Sequence, residues 1–87
     1  MISIFVPDLR EFHSLVEGAG KLPDCKVASP VAGYWRIDAA REIRFDRRAL
    51  GLRVALWNSA LAGGFLGRIA HYDRNEIHIV DETDGEQ

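Results

Sequence analysis

At 87 residues, with 47% hydrophobic and 28% charged side chains and a net charge of −2, the chain has the make-up of one small globular domain. It lacks the basic excess of a general nucleic-acid binder, and no apolar run approaches the roughly 20 residues that span a bilayer. One cysteine, Cys25, leaves no internal disulfide and no cysteine-built zinc site.

The opening MISIFVPDLR has neither the basic leader nor the long apolar stretch of a secretory signal, and a single free thiol suits a reducing compartment. The expected setting is therefore the cytoplasm, with no membrane contact. ISIFV (2–6) is short, β-branched and aromatic, and reads as a strand ended by Pro7. Leu9, Phe12, Leu15, Val16 and Ala19 then recur at helical spacing, with Gly18 or Gly20 to close the helix. Residues 21–33 contain two prolines and no clean period, and read as a loop with a short extended piece at 25–28.

YWRIDAAREIRFD (34–46) reads as a hairpin with a three-residue loop, Ala39 to Arg41. That register places Trp35 across from Phe45 and Ile37 across from Ile43 on one face. Asp46 is a candidate cap for a helix over 47–62, which Gly63 and Gly64 stop. A second hairpin, turning at DRNE (73–76), closes the folded part at residue 81. The acidic residues 82–87 read as a solvated tail. The resulting order predicts a single α+β domain over 1–81. It would be a small antiparallel sheet with two helices, in the ferredoxin-like order βαββαβ with an extra C-terminal strand.

Three groups of residues invite a functional reading. Along the expected second helix, Gly51, Ala55, Ser59 and Gly63 fall on one small-residue face, where a neighbouring backbone could come close, as a two-fold dimer seam requires. Around the first hairpin, Arg36 and Arg44 would face each other, with Arg47 and Arg48 in the first turn of the following helix and Tyr34 exposed nearby. Guanidinium forks and free helix amides suit a carboxylate or phosphate. In the second hairpin, His71 would face His78 and Asp73 would face Glu76, with Ile69 and Val80 on the same outer side. Nitrogen and oxygen donors of this kind can ligate a metal ion. His13 and Cys25 read as structural.

No P-loop, dinucleotide fingerprint, HExxH or GxSxG occurs, and no cofactor is expected. The leading expectation is a non-catalytic assembly or accessory domain that forms a homodimer. The alternative is a binder of a small anionic ligand, or a cofactor-free enzyme, with its pocket at the arginines.

Overall fold

The apolar run at the start of the chain becomes β1 (Ile2–Pro7), with Ile2, Ser3, Ile4 and Val6 buried. A strand buried in this way needs neighbours on both edges and cover on both faces. The computed structural model, which describes residues 1–81, supplies them. A single 3-10 turn (Arg10–Phe12) leads into α1 (His13–Gly20), whose Leu15, Val16 and Ala19 pack into the core with Phe12. Next come β2 (Cys25–Val31), β3 (Tyr34–Ala39), β4 (Glu42–Asp46), α2 (Arg47–Leu50) and α3 (Val54–Asn58). β5 (Phe65–Leu66), β6 (Arg68–Tyr72) and β7 (Glu76–Val80) complete the order. This is an α+β fold, built on two small antiparallel sheets with strand orders β2-β3-β1-β5 and β4-β7-β6.

The two sheets are continuations of one another. β3 passes through Ala40 and Arg41 into β4, and β5 passes through Gly67 into β6. Between these two long bent strands, β1 and β7 lie end to end: Ile2 pairs with Ala39, and Val80 pairs with both Glu42 and Arg68. Strands that change sheet at a bend are a standard way to turn a corner between packed sheets. Gly67 makes one corner possible: its φ is +137°, and a Cβ there would lie 2.9 Å from the Ile79 side chain and 3.1 Å from the Val80 carbonyl. The fold thus has four parallel tracks: β5–β6, β1 with β7, β3–β4, and β2 alone.

This architecture corrects three expectations. The single ferredoxin-like sheet is instead two sheets. Residues 34–46 do not form a hairpin, because β3 pairs with β1 and β2 whereas β4 pairs with β7. The segment 21–33 is a loop only as far as Asp24: the extended piece expected at 25–28 is the start of β2, which runs on to Val31 and makes a hairpin with β3 across Ala32 and Gly33. Both turn residues have positive φ, 55° and 85°, as a two-residue turn matched to strand twist requires.

The expected helix over 47–62 is also broken. Asp46 caps α2 as anticipated, its carboxylate accepting from the Arg48 N–H at 3.0 Å. Gly51 then adopts φ 69° and ends the helix after one turn. The chain restarts as α3, so Leu52 and Trp57 are buried while Val54 is exposed. Among the described residues, no helix is long and apolar enough to cross a membrane. The acidic segment 82–87 lies outside the described residues.

Candidate functional site

The second sheet carries the exposed chemistry. Its register aligns Arg44, His78 and His71 in one row across β4, β7 and β6, with Ile43, Phe45, Ile77 and Ile79 turned inward. On the outer face, contacts run from strand to strand. His78 Nε2 lies 2.7 Å from Glu42 Oε1, and Arg44 Nε lies 3.5 Å from the same carboxylate. Arg44 Nη1 reaches Glu76 at 4.0 Å, and His71 Nε2 sits 3.9 Å from Glu76 and 2.7 Å from Asp73. Glu42 and Arg44 joined this group unforeseen, because β4 was expected to pair with β3.

Asp73 is the best-held member. One of its oxygens meets His71, and the other accepts from the backbone N–H groups of Asn75 and Glu76, each at 2.8 Å. The hydrogen bond from His71, with those two amides, lowers its pKa to about 2. Asp73 therefore both shapes the expected turn and anchors the charged row.

The proposed metal donors are only partly gathered. His71, Asp73 and Glu76 lie together, while His78 turns to Glu42. Among the described residues, no group of three or more His, Cys, Asp and Glu side chains is arranged to hold a metal ion. The arginine group is dispersed. Arg36 and Tyr34 belong to the first sheet, where Arg36 bonds Asp38 at 2.9 Å and lies 6.0 Å from the centre of the Phe5 ring. Arg44 belongs to the second sheet. Arg47 directs its guanidinium to the Arg74 carbonyl at 2.8 Å, the Leu52 carbonyl at 3.0 Å and the Asn75 side chain at 3.3 Å, which ties α2 to the β6–β7 turn. Arg48 is exposed, and its backbone N–H is taken up by the Asp46 cap.

The small-residue face also dissolves, because its four members no longer share a helix. Gly51 is the left-handed break, Ala55 is exposed on α3, and the Ser59 hydroxyl donates to the Leu56 carbonyl at 3.1 Å. Gly63 is pressed against β1, where a Cβ would collide with the Phe5 carbonyl. Cys25 is half-buried; burial, with the nearby Asp24 charge, pushes its thiol pKa up and keeps it protonated.

A feature the sequence reading missed is the edge formed by β6. All five of its residues are exposed. A bulge at Ala70 shifts the register, so Ile69 lies across from Ile79 instead of Val80 and turns to the inner face with Tyr72. Both sit at the rim of the core, Ile69 41% and Tyr72 36% accessible. Two hydrogen bonds fix this edge from behind. Trp57, fully buried, donates through Nε1 to the Asp73 carbonyl at 2.7 Å, and the Tyr72 hydroxyl donates to the Trp57 carbonyl at 3.0 Å.

No protein-family model matches the chain, and no curated protein matches it in sequence.

Proposed function

We propose that the protein is an assembly domain that forms a two-fold dimer by pairing β6 with β6 of a second copy. The observation that carries this reading is the chemistry of that edge. Backbone groups alternate in direction along a strand. β7 directs its odd-numbered residues to β4, so its even-numbered residues serve β6. Arg68, His71 and Asp73 of β6 therefore point into the ladder, and the N–H and C=O groups of Ile69 and Tyr72 point outward.

In an antiparallel pair, Ile69 then meets Tyr72 of the second copy, and Tyr72 meets Ile69. Arg68, which has no ion-pair partner among the described residues, comes opposite Asp73. The extra residue at the bulge falls between Ile69 and Tyr72 on both strands, so the irregular spacing matches itself. Apolar rims join on the inner face and opposite charges join on the outer face, as a self-complementary two-fold seam requires. An edge contact of this size belongs with the small, transient interfaces.

Sedimentation velocity over a concentration series tests the reading. The unsubstituted chain should pass from monomer to dimer. Ile69→Lys should remain monomeric and folded, while Ala55→Glu, on the face first expected to form the seam, should dimerise unchanged. A chain that stays monomeric throughout, or one in which only Ala55→Glu dissociates, would overturn it.

A further inference from the structure

Of the four tracks in the fold, three carry a strand in both sheets. The fourth carries β2 beside β3 in the first sheet and, among the described residues, no strand beside β4 in the second. The chain fails to continue β2 along β4 because the segment before Cys25 turns away into α1. We propose that this empty place is a docking groove for an extended peptide segment of a partner protein, which adds to β4 as a fourth strand of the second sheet.

Three observations carry the proposal. The first is the backbone. Asp81 N–H donates to the Arg41 carbonyl and Arg47 N–H donates to the Asn75 carbonyl, so with the intervening register the odd-numbered residues of β4 serve β7. The N–H and C=O groups of Glu42 and Arg44 face the other way, and no partner for them is found among the described residues. They are the donors and acceptors by which an edge strand recognises an extended chain.

The second observation is shape. A cavity of about 470 Å³ lies between α1 and β4, and one of about 360 Å³ continues it towards Cys25; Leu22 and Arg44 line both. Leu50, lodged against Gly18, closes the α2 end. The result is a channel between a helix and a strand, with apolar side chains on its floor.

The third observation is charge. Glu17, Asp24, Glu42 and Asp46 border the channel against Lys21 and Arg44; Glu42 already meets His78 and Arg44, and Arg44 also reaches Glu76, which leaves the carboxylates in excess. The segment that fits therefore alternates basic residues, set beside Glu42 and Asp46 on the outer face, with apolar residues directed to the floor. The acidic stretch at the end of this chain has the wrong sign.

The test uses a fluorescein-labelled pentapeptide, Lys-Val-Thr-Val-Lys with blocked ends, read by anisotropy and by amide hydrogen exchange. Saturable binding should slow exchange at Glu42 and Arg44. Replacing both lysines of the peptide by glutamate should weaken binding at least about tenfold. Arg44→Pro deletes an N–H that lies outside the β4–β7 ladder, where an edge strand tolerates proline, and should cost at least about tenfold; Arg44→Ala, which keeps the N–H, should cost less than about threefold. Absence of saturable binding, equal affinity for the acidic peptide, equal loss in both variants, or protection at Ile69 and Tyr72 instead of β4 would each overturn the proposal. The exchange measurement on the unsubstituted chain decides the location even if the proline variant does not fold.

Discussion

β4 and β6 are the two edges of one three-stranded sheet, and they are protected in opposite ways. β4 is regular, alternates buried Ile43 and Phe45 with exposed Glu42, Arg44 and Asp46, and runs beside α1. β6 is bulged, exposed along its whole length, and presents Ile69 and Tyr72 at its rim. Charges and bulges both discourage indiscriminate strand addition. A regular charged edge still admits a regular strand of complementary charge, whereas a bulged edge admits only a strand with the same irregularity. The nearest such strand is the same strand of another copy. The difference between the edges thus underlies the two proposals, a peptide for β4 and a second protomer for β6.

The strongest way to break this division is from behind β6. Trp57 is completely buried and holds the turn after β6 through Asp73, and its own carbonyl holds Tyr72. Trp57→Ala should cost about 3–5 kcal/mol, the usual range for deleting a large aromatic from a core. Chemical denaturation measures the loss. At a concentration where the variant remains folded, amides of β6 should exchange faster than those of β4. Equal acceleration on both edges would show that Trp57 supports the sheet as a whole and not the β6 edge in particular.

The paths of β3 and β4 were hidden in the sequence by a parity argument that serves two folds equally. Trp35, Ile37, Ile43 and Phe45 turn inward both in a hairpin with a three-residue loop and in one long strand that bends at Ala40. The absence of Gly, Asn, Asp or Pro from Ala39–Arg41 was the available sign of the straight path, since tight turns draw on those residues. Once β3 and β4 are joined end to end, Arg36 and Arg44 separate and Glu42 moves beside His78. By contrast, His71 facing His78 was legible, because the DRNE turn fixes that end of the register. Ile69 was not, because a bulge inserts one residue without altering composition. The helix over 47–62 failed at Gly51: read as part of a small face, it in fact supplies the left-handed residue that stops α2. Trp57 is fully buried all the same, on the core-facing turn of α3.

A smaller effect is expected at the β4 end. Asp46 both ends β4 and caps α2, accepting from Arg48 N–H. Asp46→Ala should cost about 1 kcal/mol, typical of a lost helix cap. With α2 loosened, Leu50 should hold Gly18 less firmly and the closed end of the channel should open. Exchange at Arg48 should rise while the monomer–dimer equilibrium stays put. A shift in that equilibrium would mean that the two edges are coupled through Arg47, whose guanidinium spans from α2 to Arg74 and Asn75.

The smallest effect is electrostatic and concerns the row that joins both edges. Asp73 is held at a pKa of about 2, below its ordinary 3.8, so the fold favours its charged form. A depressed carboxylate contributes its full stabilisation above the ordinary value and loses it as pH falls through the folded one. The loss therefore falls between about pH 4 and pH 2. Asp73→Asn should lower the unfolding midpoint slightly at neutral pH, and the two unfolding curves should converge near pH 2. Part of the acid sensitivity should survive in the variant, because the first sheet holds a second depressed carboxylate: burial raises Asp38, but hydrogen bonds from Ser3 and Arg36 outweigh it. If the variant kept the whole acid slope, the charged row would carry none of it. The same substitution acts on assembly. It removes the negative partner that Arg68 would meet across the proposed two-fold axis, twice per dimer, so dimerisation should weaken and lose much of its salt dependence. Peptide capture at β4 should not change, since Asp73 lies two strands away from that edge.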